Sequence, residues 1–218
     1  STDAAIFNVP LSLEMALNGG RRFGHLFRSG AATKPFAKMR DIDEVYNAFA
    51  QQLSFKLTQL IADLKAVEEA NRRYHPTPLT SMLLEGCLEK GKCSTAGGAK
   101  YNFSGIQCVA PVDTGDALFA VEKLVYRERK LTAEELLRHL KKNLPDEKVR
   151  NILRKAEKYG NDCEDADRHV ARVISVFADL LQSLGKNTRG GAYVMGLYSV
   201  TAHEYFGRIT GALPNGRR

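Results

Sequence analysis

The 218 residues contain no tryptophan, and no apolar run approaches the ~18–20 residues that a helix needs to cross a bilayer. A membrane-spanning helix is thereby excluded, and no basic-then-apolar leader marks a secretory signal. The four cysteines, Cys87, Cys93, Cys108 and Cys163, lack the paired two-residue spacing of a zinc knuckle. With no leader, the expected compartment is a reducing cytoplasm in which these thiols stay free. Each cysteine then reads first as a small hydrophobe. No Gly-x-Gly-x-x-Gly follows a strand, no Lys-Ser or Lys-Thr pair opens a helix behind a glycine loop, and no Gly-x-Ser-x-Gly elbow occurs. The spacing of a calcium loop is missing too, and the helix dipole accounts for the acidic cluster Asp162, Glu164, Asp165 and Asp167 near a helix start. There is no internal repeat and no low-complexity segment.

What is present is an ordinary composition, 44% hydrophobic and 26% charged. The length suits one large domain or two small ones. The chain starts on Ser1, which points to processing or to a piece of something longer. The formal net charge of +7 comes partly from Arg21-Arg22, Arg72-Arg73, Arg127-Glu128-Arg129-Lys130 and Arg217-Arg218. These are dispersed, mostly at expected helix ends, so solvated faces account for them better than a nucleic-acid surface does.

Along the chain, residues 1–9 read as a short extended segment. Pro10 opens a helix that Asn18-Gly19-Gly20 stops, and residues 20–40 are an irregular loop. Asp41 and Glu44 resemble a capping box. Apolar residues from Ile42 to Val67 then recur at threes and fours, which predicts an amphipathic helix to about Arg73, ended before Pro76. A second helix is expected over 78–89, closed by Gly91. The stretch Gly97 to Gln107 is dense in glycine, then aromatic and polar, then apolar, as for backbone entering a buried site. Its glycines suit close backbone packing better than a phosphate cradle. A buried strand is expected over 107–112, with Asp113 or Thr114 capping the next helix. Thr132 with Glu135 opens another, Pro145-Asp146 a further one to about Lys158, and Gly160 sits in a turn. A long helix follows over 165–184, stopped by Gly185. His169 with Asp165 reads as an exposed helical pair. The tail looks strand-like at Tyr193–Met195 and at 197–201, and His203 reads as a core or surface histidine ahead of a general base.

Several runs together resemble the glycyl radical enzymes. Asn8-Val9-Pro10-Leu11-Ser12-Leu13-Glu14-Met15-Ala16-Leu17-Asn18-Gly19-Gly20 is similar to the helix after their active-site cysteine loop. Glu85 to Lys92 followed by Gly97-Gly98-Ala99-Lys100-Tyr101-Asn102 is similar to their central run. The segment from Asp116 to Tyr126, the turn Lys158-Tyr159-Gly160-Asn161-Asp162, and Phe206-Gly207 with Thr210 to Arg217 also match, in the family's order along nearly the whole chain. Within the family, the Gly-Gly-Ala-Lys-Tyr-Asn run resembles the dehydratase, decarboxylase and synthase branch more than pyruvate formate-lyase.

The resemblance implies a helix-rich α/β fold, with residues 1–218 forming part of a single ten-stranded barrel domain. It implies a parent lyase that cleaves C–C, C–O or C–N bonds of a small organic substrate by radical chemistry in anaerobic metabolism. A glycyl radical, installed by a radical-SAM activating enzyme, passes its chemistry to a cysteine thiyl. Neither the cysteine loop nor the radical loop occurs in these 218 residues; they are expected upstream of Ser1 and beyond Arg218. No catalytic residue is therefore assigned, and no metal. The substrate-binding residues implied by family position are Ile6, Asn8, Tyr101, Asn102, Ser199, His203 and Tyr205. The implied partners are a small-molecule substrate, the activating enzyme and a second copy in a homodimer, without nucleic acid or membrane. The alternative is a non-catalytic helical binding or assembly protein on a related scaffold.

Overall fold

The computed structural model describes residues 3–198 and 201–218. Its elements are β1 (Ala5–Asn8), α1 (Val9–Leu17), α2 (Ile42–Tyr74), α3 (Pro78–Met82), α4 (Cys87–Lys90), β2 (Ser104–Val109), α5 (Pro111–Val121), α6 (Ala133–Lys141), α7 (Glu147–Lys155), α8 (Glu164–Ser183), β3 (Tyr193–Gly196) and α9 (Ala202–Ile209). The strands form a sheet in the order β1-β2-β3, and β2 pairs with β3 in parallel from Ser104↔Tyr193 to Gln107↔Gly196. No helix among the described residues is long and apolar enough to cross a membrane. The chain divides into two compact units. One holds the residues up to Phe7 with Leu57–Gln107 and Ala178–Tyr198; the other holds Asn8–Lys56, Cys108–Phe177 and the C-terminal segment to Arg218.

In the first unit, the buried carboxylate of Glu68 ties three stretches of chain together. It accepts from Ser104 Oγ at 2.5 Å, and from the Thr188 amide and hydroxyl at 3.1 and 2.8 Å. Arg189 reaches it at 3.3 Å and also donates to Ser104 Oγ at 2.8 Å. Burial alone would raise this carboxyl, but the donors from Ser104 and Thr188 and the Arg189 charge hold it below its ordinary value. The glycine run passes close by. A Cβ on Gly98 would lie 1.9 Å from the Lys92 carbonyl oxygen, so close backbone contact requires that glycine, as the sequence suggested.

In the second unit, α1 is buried around nearly its whole circumference, and it carries one charge, Glu14. Asn8 caps it by accepting from the Leu11 amide. Helix α2 starts where expected, with Asp41 accepting from the Glu44 amide at 2.9 Å, and it buries Val45, Phe49 and Leu53 in this unit. The capping box of Thr132 and Glu135 opens α6, and Asp146 caps α7.

The structure corrects five expectations. The helix expected over 78–89 is two short helices, because Gly86 takes a left-handed φ of 92° between them. The buried strand lies at Ser104–Val109 rather than 107–112. Pro111 opens α5, so Asp113 and Thr114 lie inside the helix, where Thr114 Oγ1 donates to the Ala110 carbonyl at 3.0 Å. The tail strand ends at Gly196, Leu197 and Tyr198 are not in a strand, and Ser199 and Val200 lie outside the described residues. His169 is not half of an exposed pair. It is 3% exposed and hydrogen-bonded on both ring nitrogens, to Tyr46 Oη at 2.9 Å and Glu122 Oε2 at 2.6 Å, whereas Asp165 pairs with Arg127 and Arg168. Periodicity gives the face of α8; only the packing of α2 and α5 against it shows that this face is buried.

Burial pushes His169 below its ordinary value, against the pull of Glu122. The imidazole is therefore neutral, its Nε2–H donates to Glu122, and Nδ1 accepts from the Tyr46 hydroxyl. Because the unfolded chain takes up a proton here more readily, this stability is full above about pH 6.5 and declines below it. Urea unfolding at pH 7.5 and 5.5 will show a fall in stability at the lower pH that His169→Gln reduces. Gly115→Ala will lower the unfolding free energy by about 1–3 kcal/mol, since the added Cβ meets Val170 Cγ2 at 2.4 Å.

Candidate functional site

The second unit carries a small cleft of about 30 Å³, room for a water-sized group. It is lined by Asn8 and Pro10 at the start of α1, Val109, Ala110 and Asp113 at the turn into α5, His203, Phe206 and Gly207 on α9, and Thr210 and Arg217 in the tail. The chain comes together here because each of these corners is bonded to another. Asn8 Nδ2 donates to Thr210 Oγ1 at 2.9 Å, and that hydroxyl donates to the Phe206 carbonyl at 2.7 Å. Arg217 donates to the carbonyls of Gly207 and Gly211 at 3.0 and 3.4 Å. Asn215 Nδ2 donates to Asp113 Oδ1 at 3.0 Å.

Behind the cleft, Glu14 accepts from the amides of Phe23 at 2.5 Å and Gly211 at 2.7 Å. Burial raises its carboxyl above the ordinary value, and these two amides pull the other way. Glu14 is a structural support of the cleft's surroundings that the motif comparison did not single out. Its signal was there in the sequence: one acid inside an otherwise apolar helix.

Of the residues implied by family position, Asn8 and His203 line this cleft together. Tyr205 lies on the same helix, 64% exposed and outside the lining, with its ring 5.6 Å from Phe206. Ile6, Tyr101 and Asn102 belong to the first unit. Ile6 is 41% and Tyr101 68% exposed, and Tyr101 stacks on Phe103 at 6.1 Å. Asn102 uses its side-chain amide to donate to the Ala99 carbonyl at 2.8 Å, and its own carbonyl accepts from Asn187 at 2.6 Å, so it acts as a loop clamp. Ser199 lies outside the described residues. No group of three or more His, Cys, Asp or Glu among the described residues is placed to hold a metal ion.

A family model described as pyruvate formate lyase-like matches residues 1–207. The chain belongs to that family of glycyl radical enzymes. Among relatives of this glycyl radical enzyme chain, (2S)-3-sulfopropanediol dehydratase of Klebsiella oxytoca is 32% identical over 219 residues, covering 99% of this chain and 26% of its own. Trans-4-hydroxy-L-proline dehydratase of Clostridioides difficile is 32% identical over 213 residues, covering 96% of this chain and 27% of its own. Among solved structures, the glycerol-bound B12-independent glycerol dehydratase of Clostridium butyricum covers 98% of this chain and 27% of its own, at a TM-score of 0.93 and 33% identity. These matches lie in the dehydratase, lyase and decarboxylase branch, and the chain spans about a quarter of the length of the curated relatives it matches. Its helix-rich α/β fold with a three-stranded sheet matches part of a glycyl radical enzyme structure.

Asn8→Ala will remove both the α1 cap and the bond to Thr210, costing about 1–2 kcal/mol in urea unfolding. Asn8→Asp, which keeps the cap acceptor but not the donor, will lose less.

Proposed function

We propose that this chain is part of a glycyl radical lyase and supplies one wall of its substrate pocket. The observation that carries the reading is the end-to-end correspondence, in sequence and in fold, with dehydratases of small hydroxylated molecules. In the parent enzyme residues 1–218 would form part of a single ten-stranded barrel domain. The preferred reaction is C–O cleavage of a small hydroxylated substrate, with C–C or C–N cleavage within the family's range.

In this reading Asn8 and His203 act at the cleft. Thr210 fixes the Asn8 amide, and Arg217 holds the loop behind it. Ile6, Tyr101, Asn102, Ser199 and Tyr205 serve as further walls. The glycyl radical, installed by a radical-SAM activating enzyme, would supply hydrogen abstraction through a cysteine, and both of those residues lie outside these 218. A second copy would complete a homodimer.

The test is a chimera in which these 218 residues replace the matching segment of the C. difficile hydroxyproline dehydratase. It is activated anaerobically by that enzyme's own activase. A glycyl radical signal in electron paramagnetic resonance, with turnover of a small polyol or hydroxylated acid, is expected from the chimera, and no radical from the isolated chain. In the active chimera, His203→Ala should lower kcat/KM by roughly tenfold or more, about 1.4 kcal/mol, at unchanged radical yield. A radical in the isolated chain, or a radical-bearing chimera inert toward all such substrates, overturns the reading.

A further inference from the structure

The second unit carries another cleft, of about 160 Å³, that shares no residue with the one lined by Asn8 and His203. Helix α5 runs on into a turn of π-helix, Glu122–Arg127. Just beyond that turn Arg129 takes a left-handed φ of 51°, and the Lys130 amide reaches back to the Leu124 carbonyl at 2.8 Å. The chain doubles back there, so Lys123, Glu128 and Lys130 line one space. The end of α7 adds Lys155, and Leu124, Ile152 and Ala156 make the rest of the lining apolar. The lining thus holds three ammonium groups against one carboxylate. Lys123 is bonded to Glu157, which lies outside the lining, at 2.8 and 2.5 Å. Glu128 lies 2.8 Å from Lys130 and 3.8 Å from Lys123. Lys155 has no acid within ion-pair distance among the described residues. Even with Glu157 counted, the cations are in excess. The surroundings add to that excess: residues 122–158 hold twelve Lys and Arg against seven Asp and Glu, a net +5 of the chain's +7.

We propose that this cleft binds a small phosphate monoester with a short aliphatic body, the phosphate between Lys130 and Lys155 and the body against Leu124, Ile152 and Ala156. A lysine ammonium is a point charge with three rotatable donors, which suits a tetrahedral phosphate approached from two sides. Glu128 lies within ion-pair distance of Lys130 and of no other lysine at hydrogen-bonding range, so most of the ammonium protons of Lys130 and Lys155 are free to meet phosphate oxygens. Low-dielectric walls focus the field of the cations into the cleft. A monoester is close to a dianion at neutral pH, whereas a carboxylate of the same size carries one charge, so the excess of cations selects the phosphate. The apolar lining gives a place to a carbon body that inorganic phosphate lacks. The proposal is independent of the radical chemistry of the parent enzyme.

The experiment titrates the 15N-labelled 218-residue chain with n-butyl phosphate at pH 7.5 and low salt, and follows amide chemical shifts. Saturable shifts are expected at residues 123–131 and 152–156, with a dissociation constant of about 1 mM or below. Lys130→Gln and Lys155→Gln should each weaken binding roughly fivefold. Glu128→Gln, which removes the acid from the lining, should tighten it by about threefold. Lys148→Gln removes a cation of α7 outside the lining and should change it by less than about twofold. Ile152→Ser should weaken n-butyl phosphate and leave inorganic phosphate unchanged. Pentanoate, with a similar body and one charge, should bind at least about tenfold more weakly. At pH 5.5, below the second ionisation of the phosphate near 6, binding should fall about fourfold, and no histidine of the lining opposes that loss. The amide spectrum of each variant reports its fold in the same measurement. The proposal is overturned by the absence of saturable shifts at these residues up to about 20 mM ligand. It is overturned equally if Lys148→Gln weakens binding as much as Lys155→Gln, or if pentanoate binds as tightly as the phosphate.

Discussion

A carboxylate taken out of water needs replacement hydrogen bonds, and the first unit is arranged around meeting that need at Glu68. The acid projects from α2. Its partners come from the start of β2, at Ser104, and from the loop before β3, at Thr188 and Arg189. Satisfying one charge therefore brings together a helix and the lead-ins of two parallel strands, just where their pairing begins at Ser104↔Tyr193. Asn187 extends the same arrangement by donating to Ser104 Oγ and to the Asn102 carbonyl, which anchors the end of the glycine-rich run. Each carboxylate oxygen has two donors, Ser104 and Arg189 on Oε1 and the Thr188 amide and hydroxyl on Oε2, so removing one donor weakens the arrangement without leaving either oxygen unpaired.

The second unit meets the same requirement with a different electrostatic result. Glu14 has two backbone amides and no guanidinium bonded to it, so burial prevails and its carboxyl is raised, whereas that of Glu68 is lowered. What Glu14 secures is the loop at Gly211, which follows directly on Thr210, the residue that orients Asn8. The cleft is thus shaped by a buried acid that does not line it. His169 follows a related logic: it stays neutral between Tyr46 and Glu122, so a buried polar chain is closed without a second buried charge.

Much of the local structure was legible in the residues. Caps at Asp41, Thr132 and Asp146, stops at Gly91 and Gly185, and the long amphipathic pattern of α2 all act within a few residues, and the structure has each of them. The free state of the four cysteines was legible too. The family was readable because the matching runs stand in the family's order along the chain. The break at Gly86, the earlier strand and the burial of His169 were not legible in the same way. Whether a glycine is needed at position 86 depends on distant backbone, since a Cβ there would meet the Gly98 carbonyl oxygen and the Lys100 nitrogen at 3.0 Å. Whether a polar residue on a helix face is buried depends on what packs over it. Of the residues named from family position, Asn8 and His203 share a cleft, while Asn102 turned out to be tied to its own loop.

By itself, then, the sequence determined most of the helical segments and where many of them start and stop, though not α9 (Ala202–Ile209), which carries His203, and it determined to which family the chain belongs. These follow from short-range chemistry and from the order of motifs. Only the tertiary structure decided which acids and histidines leave water, how their charge responds, and which distant side chains meet at one cleft. Desolvation and hydrogen-bond satisfaction depend on neighbours far away along the chain, such as the 202 residues that separate Asn8 from Thr210.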